Sequence, residues 1–198
     1  MPDKNSDLHQ NAPDKSDIAL IVIDMINDLE YPGGECIFDA ALAAANRIAA
    51  LKARAKTSSI PVIYANDNFG RWRSDFREAV RHCIEQQVRG NPVVTRIEPD
   101  ATDYFVLKPK YSAFYATAME TLLTYLGSKH LILTGITGNM CVQFTACDAY
   151  MRDYHIHIPQ DCIASNSEEE NQRALAYMQD VLNADIRLSE DIDLTKLR

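Results

Sequence analysis

Three residues far apart in the chain share one kind of place. Asp24 ends the apolar run IALIVI (18–23), Lys108 ends YFVLK (104–108), and Cys141 lies just past HLILTG (130–135) in LTGITGNMCVQF. A carboxylate, an ammonium and a thiol brought together can do covalent acyl chemistry. The thiolate is the nucleophile, and a free thiol, with a pKa of about 8.5, is mostly protonated at neutral pH. A helix N-terminus and a nearby lysine both favour the anion. A carboxylate beside it can take the thiol proton and return it to a leaving amine. No histidine is required, and none of the five stands at a strand end beside these residues.

The elements that must hold this trio follow from the apolar pattern. Strand-like runs at 18–23, 61–65, 104–108, 130–135 and 155–159, with a short closing run at 185–189, alternate with helix-like segments. The helices are expected from about Asp39 to Lys56, around Ser74–Val88, over Phe114–Leu126, from near Asn139, and over Glu168–Asn183. A short β-branched run bounded by polar residues reads as a strand buried on both faces. Alternation of this kind implies βαβ units. The fold class is therefore α/β: a three-layer sandwich with a mainly parallel, about six-stranded sheet flanked by helices. Ligands of such sheets sit beyond the carboxyl ends of the strands, where Asp24, Lys108 and Cys141 fall.

The gross numbers narrow the function. The chain has 198 residues, 46% hydrophobic and 24% charged, with 20 basic against 28 acidic residues and a net charge of −8. No basic block tracks phosphates, so nucleic acid and anionic membrane are not expected partners. No apolar run approaches a bilayer span, and the polar start MPDKNSDLHQNAPDKSD has no signal-peptide core. Residues 1–16 read as a disordered polar tail and 17–198 as a single domain. Five cysteines, an odd number without a CxxC pair, argue against a disulfide framework or a structural zinc site. A cytoplasmic protein with reduced thiols is expected.

The segments LIVIDMINDL, KPKYSAFYAT and TGITGNMCVQFTACDAYMRDYHIHIPQDCIAS resemble the isochorismatase-like cysteine hydrolase superfamily, relatives of nicotinamidases and N-carbamoylsarcosine amidases. The resemblance implies a Cys–Asp–Lys triad of Cys141, Asp24 and Lys108. It also implies a cis peptide at Ile136–Thr137, with the backbone N–H groups of Thr137 and Cys141 aimed at an oxyanion. Nicotinamidases hold a metal through a D-x-H pair after the second strand. Here Asn66 and Asn68 stand at the expected ligand positions, with Asp67 between them read as pointing away. Asn amides are poor zinc ligands, so no metal and no cofactor are expected. Asn66, Asn68, Trp72 and Phe114, with Phe69, are candidates for the substrate pocket; Tyr111 and Ser112 match the family segment without a derived role.

Isochorismatases of this superfamily cleave a vinyl ether without needing the cysteine, so the retained thiol points to a small amide or carbamoyl C–N bond. The alternatives are a non-catalytic binding or assembly protein on the same scaffold, an ether hydrolase, or a peroxide-sensing thiol protein. A small-molecule substrate and a homo-oligomer, dimer or tetramer, are implied. His155 and His157 share a strand face without a third metal ligand apparent. Cys147 reads as packing, and Cys162 as supporting the site.

Overall fold

The computed structural model describes residues 15–67 and 75–197. Asn68, Phe69 and Trp72, all pocket candidates, lie outside the described residues. Six strands form one parallel sheet: β1 (Ile18–Ile23), β2 (Val62–Asp67), β3 (Tyr104–Lys108), β4 (His130–Ile136), β5 (His155–His157) and β6 (Ile163–Ala164). The order is β3-β2-β1-β4-β5, with β6 pairing the far end of β4. The chain runs outward from β1 to β3, then crosses back to β4. The reversal therefore lies between β1 and β4, the kind of place where open α/β sheets bind ligands.

All six residues of β1 are buried, because it is paired on both edges and covered on both faces. Its side chains alternate between two apolar layers. Ile18, Leu20 and Val22 face α1 (Gly34–Thr57), α2 (Phe76–Glu85) and α3 (Asn91–Arg96). Ala19, Ile21 and Ile23 face α4 (Met119–Leu126), α5 (Gln143–Tyr150) and α6 (Glu168–Leu182). On α1 the buried stripe Ala41, Ala44, Ala45, Ile48, Leu51 and Ala55 has the spacing of one helical face. Gly135 lets β4 lie against β1. Its φ is +115°, and a Cβ there would stand 2.0 Å from the Ile23 carbonyl oxygen. Any side chain would push the two strands apart where they deliver Cys141 and Asp24.

Several expectations shift. The helix expected from Phe114 begins at Met119. The Ser112 hydroxyl takes the Phe114 amide and Thr117 takes that of Met119, so side-chain bonds replace the first turns. Helix α1 starts at Gly34, ahead of Asp39. Helix α3, six residues with proline in its first turn, was too short to read from periodicity. The segment 185–189 supplies no strand; Asp185 alone bridges His157. Ser16, expected in the tail, is fastened to the domain, donating its amide to the Leu126 carbonyl at 3.0 Å. Among the described residues, no helix is long and apolar enough to cross a membrane.

Candidate active site

Register brings the trio together. Ile23 pairs with Ala65 on one side and Gly135 on the other, and Asp67 pairs with Lys108. Asp24 thus leaves β1 beside the ends of β2 and β4. Its φ of 53° turns the chain out of the sheet, a conformation that Asp tolerates better than most residues. Its Oδ1 accepts the Asp67 N–H at 2.7 Å, and its Oδ2 accepts Lys108 Nζ at 2.8 Å. Lys108 is fully buried. Its ammonium also donates to the Lys110 carbonyl at 3.1 Å and to Cys141 Sγ at 3.5 Å. Asp24 and the Cys141 thiol also influence one another's protonation, the carboxylate disfavouring the thiolate. All three donors of the ammonium are therefore used, and Lys108 joins the carboxylate to the sulfur.

Cys141 stands in a single π-helical turn, Gly138–Val142, that runs on into α5. The peptide bond Ile136–Thr137 is cis, as the resemblance implied. The Met140 and Val142 amides both close on the Thr137 carbonyl at 3.1 Å. Thr145, fully buried, ties this turn to the loop after β3. Its hydroxyl donates to the Cys141 carbonyl at 2.7 Å and accepts the Ala113 amide at 3.0 Å.

The electrostatics correct one expectation. Lysine and helix terminus were expected to lower the Cys141 pKa. Instead, burial pushes the thiol up to about 12, the Asp24 carboxylate adds to the rise, and Lys108 only partly offsets them. Burial likewise raises Asp24 above the usual carboxylate range, against the pull of Lys108. Burial alone would lower Lys108, but Asp24, Cys141 and Asp67 together hold it above the ordinary lysine value. Burial and Asp24 thus favour the thiol form of Cys141, and Lys108 opposes them.

The pocket expectations fare differently. Asn66 does not present its amide to a ligand: its Oδ1 accepts the Ile26 N–H at 3.1 Å and its Nδ2 donates to the Ile26 carbonyl at 2.8 Å. It clamps the loop after β1, holding Asp24 in place. Phe114 is buried in the layer beneath α4–α6, against Tyr154, so it is core and not a pocket wall. Asp67 donates its backbone N–H to Asp24, and its side chain adds to the field that favours the Lys108 ammonium. Tyr111 is half-exposed and its ring packs on Phe144 of α5, the centroids 5.4 Å apart. Sequence reasoning missed Tyr31, in the loop between β1 and α1. Burial, then Asp24, Asp28 and Cys141, raise its phenol pKa, which puts it within electrostatic reach of the trio.

Among the described residues, no group of three or more His, Cys, Asp or Glu is disposed to hold a metal. His155 and His157 gain a neighbour in His130, whose Nδ1 lies 3.2 Å from His157 Nε2. They gather where β4 and β5 begin, at the opposite end of the sheet from Cys141. Cys147 is partly buried against the α4–α6 layer, and Cys162 is buried in the α1 layer.

This arrangement of parallel sheet and strand-end trio defines an isochorismatase-like α/β fold. The chain belongs to the isochorismatase family: the Isochorismatase domain matches residues 18–190. It is 47% identical over 178 residues to the uncharacterized isochorismatase family protein YaaI of Bacillus subtilis, covering 90% of this chain and 97% of that protein. The ureidoacrylate amidohydrolase RutB of Pantoea ananatis is 29% identical over 188 residues, 80% of this chain and 74% of that one. The solved structure of N-carbamoylsarcosine amidase from Thermoplasma acidophilum superposes with a TM-score of 0.69 at 27% identity, covering 90% of this chain and 99% of that one.

Proposed function

We propose that the protein is a cysteine hydrolase that cleaves the C–N bond of a small amide or carbamoyl compound. One observation carries this reading: a fully buried lysine bonded at once to Asp24 and to the Cys141 sulfur. Burying an ion pair in a dry interior is a poor way to gain stability, but it is how a carboxylate is kept ionised beside a thiol. The names of the N-carbamoylsarcosine amidase and ureidoacrylate amidohydrolase relatives agree with a C–N substrate.

The geometry supports the following course of reaction. Cys141 Sγ attacks the carbonyl carbon as its proton passes to Asp24, so a thiol with a raised pKa is never required to ionise alone. The backbone N–H groups of Thr137 and Cys141 take the oxyanion. Collapse breaks the C–N bond, and the departing nitrogen takes the proton from Asp24. Water, deprotonated by Asp24, then attacks the thioester and releases the acid and the thiol. Lys108 keeps Asp24 anionic between steps.

Nucleophile and base both come from the chain, so no metal-bound water is needed. In a screen of small amides, ureido acids and carbamoyl compounds, at least one class should release ammonia or amine in a Cys141-dependent way. EDTA should leave that rate unchanged. Activity lost on chelation and restored by zinc would contradict the metal-independent route. A non-catalytic scaffold would release nothing from any class.

A further inference from the structure

The turn that carries the nucleophile rests on a polar pair that the mechanism above does not use. Ser165 follows β6 and Asn171 lies in the first turns of α6; both are buried. The Ser165 hydroxyl accepts the Asn139 N–H at 3.2 Å and donates to Asn171 Oδ1 at 3.0 Å. Gly138 lets the backbone approach this closely: a Cβ there would meet Asn171 Oδ1 at 2.5 Å and Ser165 Oγ at 2.9 Å. One hydroxyl thus fixes the peptide between Gly138 and Asn139, midway between Thr137 and Cys141.

We infer that Ser165 and Asn171 are positioning residues that aim the backbone N–H groups of Thr137 and Cys141 at the developing oxyanion. The inference rests on the cysteine-hydrolase reading and deepens it. Each partner's role follows from its chemistry. Asn171 supplies an acceptor that orients the Ser165 hydroxyl hydrogen, leaving a lone pair of Ser165 for the Asn139 amide. Without it the hydroxyl can rotate and the turn loses its anchor. Small displacements of a reacting group are enough to slow a reaction strongly.

Two reagents separate aim from reactivity. p-Nitrophenyl acetate acylates the sulfur through a tetrahedral oxyanion: the S–C bond forms, the thiol proton passes to Asp24, and the C–O bond breaks to release p-nitrophenolate. Iodoacetamide alkylates the same sulfur by displacing iodide from a saturated carbon, with no oxyanion. The informative quantity is the ratio of the two rates at Cys141, read from the p-nitrophenolate burst and from the mass of the alkylated peptide. In Ser165→Ala and Asn171→Leu this ratio should fall about 10–100-fold, with alkylation little changed. Asn171→Asp, which keeps the acceptor oxygen and the shape, should restore it to within about threefold of wild type. A ratio unmoved by Ser165→Ala, or acylation and alkylation falling together, would overturn the positioning role. A burst that persists in Cys141→Ala would instead overturn the hydrolase reading, and the positioning role with it.

Discussion

Replacing Cys141 by Ala is expected to lower hydrolysis by at least about 10⁴-fold while the fold persists, since removing an enzyme's nucleophile costs losses of that order or larger. The side chain is small and lies at the edge of the α4–α6 core layer, so little packing is lost. The ion pair of Asp24 and Lys108 survives the change, because their 2.8 Å contact does not pass through sulfur. Ser at this position should be nearly as damaging: an alcohol is harder to deprotonate than a thiol, and Asp24 remains the base. Steady-state rates on the best substrate of the ammonia screen, with thermal unfolding as the control for folding, check this. Activity within tenfold of wild type in Cys141→Ala would remove covalent catalysis from the account.

Asp24→Asn tests the proton route. It keeps the shape but cannot accept the thiol proton, so the chemical step should slow by roughly 10²–10⁴-fold. It also strands Lys108 in the interior without its counter-charge, and breaking a buried pair in this way costs about 3–5 kcal/mol. The pH profile gives the sharper signature. Burial raises the Asp24 pKa above its ordinary 3.8. As pH falls through that raised value, the carboxyl takes a proton and can no longer receive one from sulfur. The wild-type rate should therefore drop on the acid side at a pH above the usual carboxylate range. The variant's residual rate should lack that limb, and an identical limb in both would assign it to another group.

Much of the site was legible because parallel strands end at one edge. Three apolar runs ending in Asp24, Lys108 and, one turn later, Cys141 sufficed to bring the residues together, and the contacts at 2.8 and 3.5 Å agree with that reading. The thiol's acidity was not legible. It depends on how deeply the sulfur is buried and how near Asp24 lies, and neither is set by local sequence. Asn66 was misassigned because one strand-end position serves equally for a ligand contact and for a loop clamp. Only the tertiary contact with Ile26 distinguishes them. The Phe114 misreading has a local cause: Ser112 and Thr117 compete for the backbone and delay the helix, and the aromatic ring turns into the core. Ser165 and Asn171 belong to a contact across elements that no spacing in the chain announces.

The central claim is that the Cys141 sulfur forms a bond to the carbonyl carbon. Intact mass spectrometry of the wild-type protein, quenched in acid milliseconds to seconds after mixing with p-nitrophenyl acetate, tests it most directly. The account predicts one added acetyl group per chain, mapped by peptide mass to Cys141, hydrolysed on standing and missing from Cys141→Ala. An acetyl group found on Cys36 or a lysine, with Cys141 unmodified while p-nitrophenolate is released, would contradict it.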